Sequence, residues 1–339
     1  MKLKKIAALS TAVIMSASML VGCGNNKSKE NTDKSFKIGM VADIGGINDE
    51  SFNQSAWEGL QKAEKDFGIE VKVIESKQAS EYLQNMESLL DEDVDMVIGV
   101  GYTMKEDIEK QAKNYPDKQF VLIDETYDSI PENVTPILFR ENEAAYLTGL
   151  VAGKMTENNN VGFIGGIQTP VISRFEYGYK SGVKEANKDC NVNVQYAGPF
   201  SDAAKGKSIA NQMYGNGSDI ILAAAGGTGL GSIESAKEQN KYAIGVDRDQ
   251  SDLAPKNVLT SALKKVNVGV YDTVKEFIEG KLTGGQEKVY GLKEDGVGIP
   301  ETTKNLVPQD IIDYVNSMIE KIKNDEIKVP ATEEEYKSM

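Results

Sequence analysis

The sequence predicts an α/β protein of two similar lobes in series, each a parallel sheet with helices on both faces. Short apolar runs alternate along the chain with segments of helical spacing, the pattern of βαβ units. The alternation runs from Phe36 to Phe139 and starts again at Glu141. The chain has 339 residues, 40% of them hydrophobic, enough for two cores when a domain usually takes roughly 100–200 residues.

In the first lobe Phe36–Asp43 (FKIGMVAD) is an apolar run, read as a buried strand. Phe52 to Phe67 follows as a helix, with Trp57, Leu60, Ala63 and Phe67 at helical spacing. Ile69–Ile74 is the next strand. Glu81–Leu90 is a helix with Leu83, Met86 and Leu90 on one face. Val94–Val100 is a strand, Lys105–Asn114 a helix, and Phe120–Ile123 and Val134–Phe139 are strands. The second lobe opens with a helix, Ala144–Lys154, whose Ala144, Ala145, Gly149 and Ala152 suit close packing. Val161–Gly165, Val192–Ala197, Ile220–Ala224 and Tyr242–Val246 read as strands. Arg174–Asn187, Ala203–Tyr214 and Ile233–Glu238 read as the helices between them. Val258–Leu263 and Tyr271–Glu279 add a strand and a helix. Pro308–Ile322 is a last helix, with Ile311, Ile312, Val315 and Ile319 on its apolar face. Ala331–Met339 is polar and expected to be loosely held.

Before this body lies a segment of different character. Lys2, Lys4 and Lys5 precede an apolar stretch from Ile6 to Val21, the n-region and h-region of a secretory signal. The stretch is short for a membrane span of about 20 strongly apolar residues. It ends in Leu20-Val21-Gly22-Cys23, which resembles the lipobox of bacterial lipoproteins. Residues 1–22 are therefore expected to be cleaved and Cys23 to carry lipid, giving a stable anchor. Residues 23–35, without a large apolar side chain, read as a tether. Removing three lysines takes the formal charge from −14 to −17. The expected location is the cell membrane, lipid-anchored on its extracytoplasmic face.

Composition excludes several chemistries. With 38 Lys and Arg against 52 Asp and Glu, the chain is a poor binder of nucleic acid, whose affinity rests on basic groups neutralising phosphates. No His is present, which removes Ser-His-Asp and Cys-His catalysis and every His-ligated metal. Two cysteines, Cys23 and Cys190, make neither a zinc cluster nor a disulfide scaffold, so Cys190 reads as a buried small hydrophobe. No metal and no cofactor are expected.

Open α/β sheets bind ligands beyond the carboxyl ends of their strands. Those ends carry Asp43, Asp124, Asp247 and the pair Lys264-Lys265, with Phe52 and Phe200 in the loops that follow strands. Asp124 and Asp247 hold the same register in the two lobes, as expected of a shared cleft. Each also has an ordinary reading: Asp49, Ser51 and Asp202 as helix caps, and Phe52 and Phe200 as core residues. Gly226, Gly227 and Gly229 sit in a loop with no Gly-Lys-Ser/Thr, so it is no P-loop and suits the edge of a neutral ligand better.

The stretch DIGGINDESFNQ (Asp43–Gln54), followed by Ala56-Trp57-Glu58-Gly59-Leu60, resembles the opening motif of the basic membrane protein (BMP) lipoproteins. These are substrate-binding proteins of ABC transporters, and their best understood members are purine nucleoside receptors. EAAYLTGLVAG (Glu143–Gly153), FIGG (Phe163–Gly166), FSDAAKG (Phe200–Gly206), Ala225–Gly229 and Gly245-Val246-Asp247 extend the likeness over roughly residues 36–320. The resemblance implies a type I periplasmic-binding-protein fold, in which two Rossmann-like lobes joined by a hinge close on a ligand. It implies an N-terminal lobe of residues 36–140, rejoined by part of 264–320, a second lobe of 141–263 and a tail of 325–339.

It also implies site roles. Phe52 and Phe200 sandwich the base. Asp43 and Asp124 face the ligand from the first lobe, Asp43 at the base's edge. Asp247 and Lys264 grip the ribose hydroxyls, although Lys265 stands next to Lys264. Gly226 offers a backbone contact, and Asn53 and Tyr102 are assigned by position. Arg140 receives no role. The function expected is a monomeric, non-enzymatic receptor that hands inosine, guanosine or adenosine to permease and ATPase subunits. The alternatives are a sugar or other small-polar-ligand receptor, a nucleoside hydrolase acting through aspartates, and a surface adhesin or sensor of the same fold.

Overall fold

The computed structural model describes residues 36–339. The expected signal segment, Cys23 and the tether lie outside them. Among the described residues the strands form two six-stranded sheets. The first holds β1 (Lys37–Ala42), β2 (Glu70–Glu75), β3 (Met96–Val100), β4 (Gln119–Ile123), β5 (Val134–Phe139) and β11 (Lys288–Tyr290). Its order is β2-β1-β3-β4-β5-β11, and all its pairings are parallel. The second holds β6 (Asn160–Gly165), β7 (Asn191–Tyr196), β8 (Ile220–Ala224), β9 (Tyr242–Asp247), β10 (Val258–Lys264) and β12 (Val297–Gly298), in the order β7-β6-β8-β9-β10-β12. Only β12 runs antiparallel, against β10. The same order therefore recurs in both lobes, and β4 and β9 are equivalent strands.

The helices are α1 (Phe52–Phe67), α2 (Tyr82–Asp91), α3 (Lys105–Asn114), α4 (Glu141–Met155), α5 (Pro170–Ala186), α6 (Ala203–Gly215), α7 (Gly227–Gln239), α8 (Val266–Ile278), α9 (Gln309–Lys323) and α10 (Glu333–Lys337). The central strands β3 and β8 are buried along their whole length, as expected for parallel strands covered on both faces. The chain passes between the sheets three times: from β5 into α4, from β10 into α8, and from β11 to β12. After the second passage α8 lies against α1 of the first lobe, where Asn267 N donates to Ser55 Oγ at 3.2 Å.

Helix α4 packs along α5 at backbone range. A Cβ on Gly149 would sit 2.3 Å from the Tyr179 carbonyl, and one on Gly182 would sit 2.0 Å from that of Tyr146. The small residues expected to pack closely thus do so.

Several expectations are corrected. Helix α5 begins at Pro170 rather than Arg174, with Thr169 as its cap and Pro in the first turn. Helix α7 begins at Gly227 rather than Ile233, so the glycine run opens a helix instead of forming a loop. Its glycines are kept for contact with α6, since a Cβ on Gly231 would lie 1.8 Å from the Ala203 carbonyl. Helix α2 buries Tyr82, Met86, Leu89 and Leu90, with Leu83 turned partly outward. Cys190 is half-buried against the core rather than enclosed. The C-terminal tail is docked, not loose. Val329 is buried, Asn142 Nδ2 donates to its carbonyl at 2.8 Å, and Tyr336 packs on Tyr177 at 5.9 Å. Among the described residues no helix is long and apolar enough to cross a membrane.

Candidate functional site

A cleft between the ends of the two sheets holds a cavity of about 140 Å3. That is smaller than most small-molecule sites, which run to roughly 300–1,000 Å3. The structure brings all nine residues singled out from the sequence to its walls: Asp43, Phe52, Asn53, Tyr102, Asp124, Phe200, Gly226, Asp247 and Lys264.

Asp43 directly follows β1. Its Oδ1 accepts from Gly45 N at 2.8 Å and from Asn53 Nδ2 at 2.7 Å, and its own N–H donates to Asn53 Oδ1 at 3.0 Å. Burial raises its carboxyl above the ordinary range, although those two donors oppose the shift. Asn53 also donates to Asp49 Oδ2 at 3.0 Å, so its amide is occupied in holding two carboxylates. Asn53 thus lines the cleft as the clamp on Asp43. Asp49 caps α1, accepting from the N–H groups of Ser51, Asn53 and Gln54 at 2.9, 2.9 and 3.1 Å. Ser51 is thereby released from capping, and its hydroxyl donates across the cleft to Asp247.

Phe52 opens α1. The backbone of Gly101 passes under it at φ +111, where a side chain would be strained. Tyr102 stands beside it, its phenol raised by burial and by Asp43. Phe200 comes from the loop between β7 and α6. Its ring covers Gly166 so closely that a Cβ there would lie 2.1 Å away. Gly226, at φ 54, caps α7 next to the Phe200 carbonyl, which accepts from Thr228 N at 3.0 Å.

The inner end of the cleft is ionic. Asp124 and Asp247 terminate equivalent strands with the same left-handed backbone, φ 72 and φ 64. Lys264, 2% exposed at the end of β10, ion-pairs with Asp124 and stands 3.7 Å from Glu141 Oε1 and 4.5 Å from the Phe52 ring centre. Lys265 points away to Asp295 at 2.7 Å, so Lys264 is the lysine in the cleft. Burial pushes the Asp247 carboxyl up to about 6, with Asp124 and Asp49 adding to the rise and Lys264 and Ser51 opposing it. Burial also raises Asp124, against the pull of Lys264. Asp124 Oδ1 is buried with no hydrogen-bond partner, a vacant acceptor at the inner end.

The two walls differ. The first lobe contributes polar groups, to which the structure adds Tyr82 and Thr103. The second contributes Val171, Ile172, Phe175, Ala224 and Val246. Val171 and Ile172 of this apolar wall were not expected, because they lie in the first turn of α5, ahead of the helix expected from Arg174. Their signal was the Thr169-Pro170 pair. Ile44 and Ile167, 44% and 43% exposed, stand on opposite lips. Outside the cleft lining, Arg248 of the second lobe donates to Glu50 and Glu58 of the first at 2.8 and 2.7 Å. Arg140 is exposed behind the cleft, its N–H donating to the Tyr290 carbonyl at 2.9 Å. Among the described residues no set of three acidic or cysteine side chains is arranged to hold a metal.

Comparison with known proteins is decisive about the family. Residues 36–333 match the model Bmp, described as ABC transporter substrate-binding protein PnrA-like. The chain belongs to the Bmp family. It is an ABC transporter substrate-binding protein of the PnrA-like type. Relatives include the CD4+ T-cell-stimulating antigen of Listeria monocytogenes, 39% identical over 96% of this chain and 99% of that protein. Another is the ABC transporter nucleoside-binding protein BmpA of Lactococcus lactis, 38% identical over 87% of this chain and 91% of the relative. Among solved structures, an ABC transporter solute-binding protein from Aeropyrum pernix superposes with a TM-score of 0.82 at 27% identity, covering 89% of this chain and 96% of that one. This Bmp protein thus has the two-lobed periplasmic-binding-protein fold that its sequence predicts.

Proposed function

We propose that this Bmp protein captures purine nucleosides in the cleft and delivers them to the permease and ATPase subunits of an ABC importer. The observation that carries the reading is that Phe52 and Phe200, from opposite lobes, line one cleft whose inner end presents Asp124, Asp247 and Lys264. A flat base lies between the rings. The pentose hydroxyls meet the charged end, where Asp124 Oδ1 has an acceptor to spare. The name of the Lactococcus relative supports a nucleoside as the ligand.

The energetics suffice without a metal. Micromolar affinity needs about 8.2 kcal/mol. For a ligand of roughly 19 heavy atoms that is about 0.4 kcal/mol per atom, within the usual range of about 0.3 to 1.5. Each aromatic contact adds about 0.5–1.5 kcal/mol beyond burial. Each hydrogen bond to a charged group adds about 1.5–3. The acidic groups Asp43, Asp124 and Asp247 accept from N–H and O–H and repel phosphate, so nucleosides are preferred to nucleotides.

The protein acts as a monomeric receptor rather than an enzyme, tethered through Cys23 to the extracytoplasmic face of the cell membrane. Titration calorimetry with inosine, guanosine, adenosine, ribose and inosine 5′-monophosphate tests the reading. Nucleosides should bind tightest. Tighter binding of the monophosphate, or equal binding of ribose, would overturn it. Release of free base on incubation with inosine would favour a hydrolase instead.

A further inference from the structure

We propose that Glu141, neutralised from behind by Arg174, is the positioning residue that keeps the Lys264 ammonium aimed into the cleft; this rests on the nucleoside reading. Glu141 is the first residue of α4, immediately after the first passage between the lobes, and it is fully buried. A buried carboxylate is costly unless it is paired and hydrogen-bonded. Both of its oxygens are occupied. Oε2 accepts from Arg174 Nε at 2.6 Å, and Oε1 accepts from Nη2 at 3.4 Å and stands 3.7 Å from Lys264 Nζ.

Glu141 does not line the ligand cleft, whereas Lys264, Asp124 and Asp247 do. Its role therefore acts through Lys264. The ammonium sits among three carboxylates carried by different elements: Asp124 after β4, Asp247 at the end of β9 and Glu141 at the start of α4. Asp124 holds it by direct contact with Oδ2, leaving Oδ1 vacant. Without the pull of Glu141 from the far side, the ammonium would settle between Asp124 and Asp247 and occupy the acceptors that a sugar hydroxyl needs. Without Arg174, an un-neutralised Glu141 would draw the ammonium back out of the cleft. Arg174, 24% exposed, lies on the far side of Glu141, where it lines a second cavity behind the hinge. The Arg174–Glu141–Lys264–Asp124 chain is thus balanced to leave one side of Lys264 for the ligand.

The test compares Glu141→Gln, Arg174→Met and Arg174→Lys with the wild-type chain. Inosine and hypoxanthine are titrated calorimetrically, and the 15N-labelled Lys264 ammonium, assigned through Lys264→Arg, is followed by NMR. Glu141→Gln and Arg174→Met should weaken inosine by about tenfold, which is about 1.4 kcal/mol. Hypoxanthine, which lacks the pentose, should change by less than about twofold, and Arg174→Lys should recover most of the inosine affinity. The Lys264 ammonium signal, sharp and protected in the wild type, should broaden in the two damaging variants. Equal weakening of inosine and hypoxanthine, or an unchanged ammonium signal, overturns the proposal. If Glu141→Gln fails to fold, the Arg174 pair decides it. If the wild type binds no inosine, the nucleoside reading falls and the ammonium signal alone decides the positioning role.

Discussion

Arg248 should hold the cleft shut. It follows Asp247 on the second lobe, and its guanidinium bridges to Glu50 and Glu58 of the first, while Gln250 Nε2 donates to the Glu50 carbonyl at 2.8 Å. The Arg248, Glu50 and Glu58 side chains are 24%, 43% and 40% exposed, so each pair is partly screened by water. Pairs of this kind contribute about 0.2–1 kcal/mol each. Fixed guanidinium geometry and two partners place the sum near the upper end, at about 1–2 kcal/mol. That corresponds to roughly a 5- to 30-fold change in the ratio of closed to open forms.

A ligand held only between closed lobes loses apparent affinity as the closed population falls. Arg248→Gln should therefore weaken inosine several-fold, through faster release rather than slower capture. Stopped-flow kinetics at low and high salt makes the check. Wild-type release should accelerate with salt, and the variant should already release fast at low salt and respond little. An unchanged release rate at low salt would refute the reasoning.

Acidity should move stability and affinity in opposite directions. In the folded chain Asp247 titrates near 6 against an ordinary value of 3.8, and Asp43 and Asp124 are raised in the same sense. The folded state therefore binds protons more tightly than the unfolded chain. This contribution to stability is present at low pH and is lost as pH rises through about 6. Over the cleft carboxylates alone, the ligand-free melting temperature should rise between pH 7 and 5. Inosine, which donates to ionised carboxylates, should weaken by up to about tenfold per pH unit below that value. Melting scans and calorimetry across the interval check both, and changes of the same sign would contradict the assignment. Lys264→Met leaves Asp124, Glu141 and Asp247 with only the partly exposed Arg174 as a nearby counter-charge, and breaking such a buried pair costs about 3–5 kcal/mol. Denaturant unfolding should show that loss. Gly182→Ala should destabilise by about 1–3 kcal/mol, since its Cβ would strike the backbone of α4. Gly215→Ala, at the last turn of α6 with nothing within 4 Å, should stabilise by about 0.5–1 kcal/mol in the same assay.

What the sequence made legible follows from how local each signal is. Phe52–Phe67, Val134–Phe139 and Ile220–Ala224 match their elements at both ends, because apolar periodicity and turn residues sit within the segment itself. The glycine-rich start of α7 misleads because intrinsic propensity disfavours helix there, while packing against α6 demands residues without Cβ. Strands β11 and β12 are three and two residues long and carry no apolar run to find. The cleft residues at strand ends were readable from the rule for open sheets together with the family resemblance. Glu141 and Arg174 were not, since positions 124, 141, 174 and 264 meet only once the chain has passed between the lobes and back. The role of Asn53 in clamping Asp43 was hidden for a related reason. Ten residues apart, the two are brought together by the turn that Asp49 caps.

The central claim is that a purine ring lies between Phe52 and Phe200. Titration calorimetry of inosine against the wild type, Phe52→Ala and Phe200→Ala tests it most directly. Micromolar or tighter binding to the wild type is expected, with a loss of about 1–3 kcal/mol in each variant, the contribution of one base–aromatic stack. Inosine binding that survives both substitutions unchanged would contradict it.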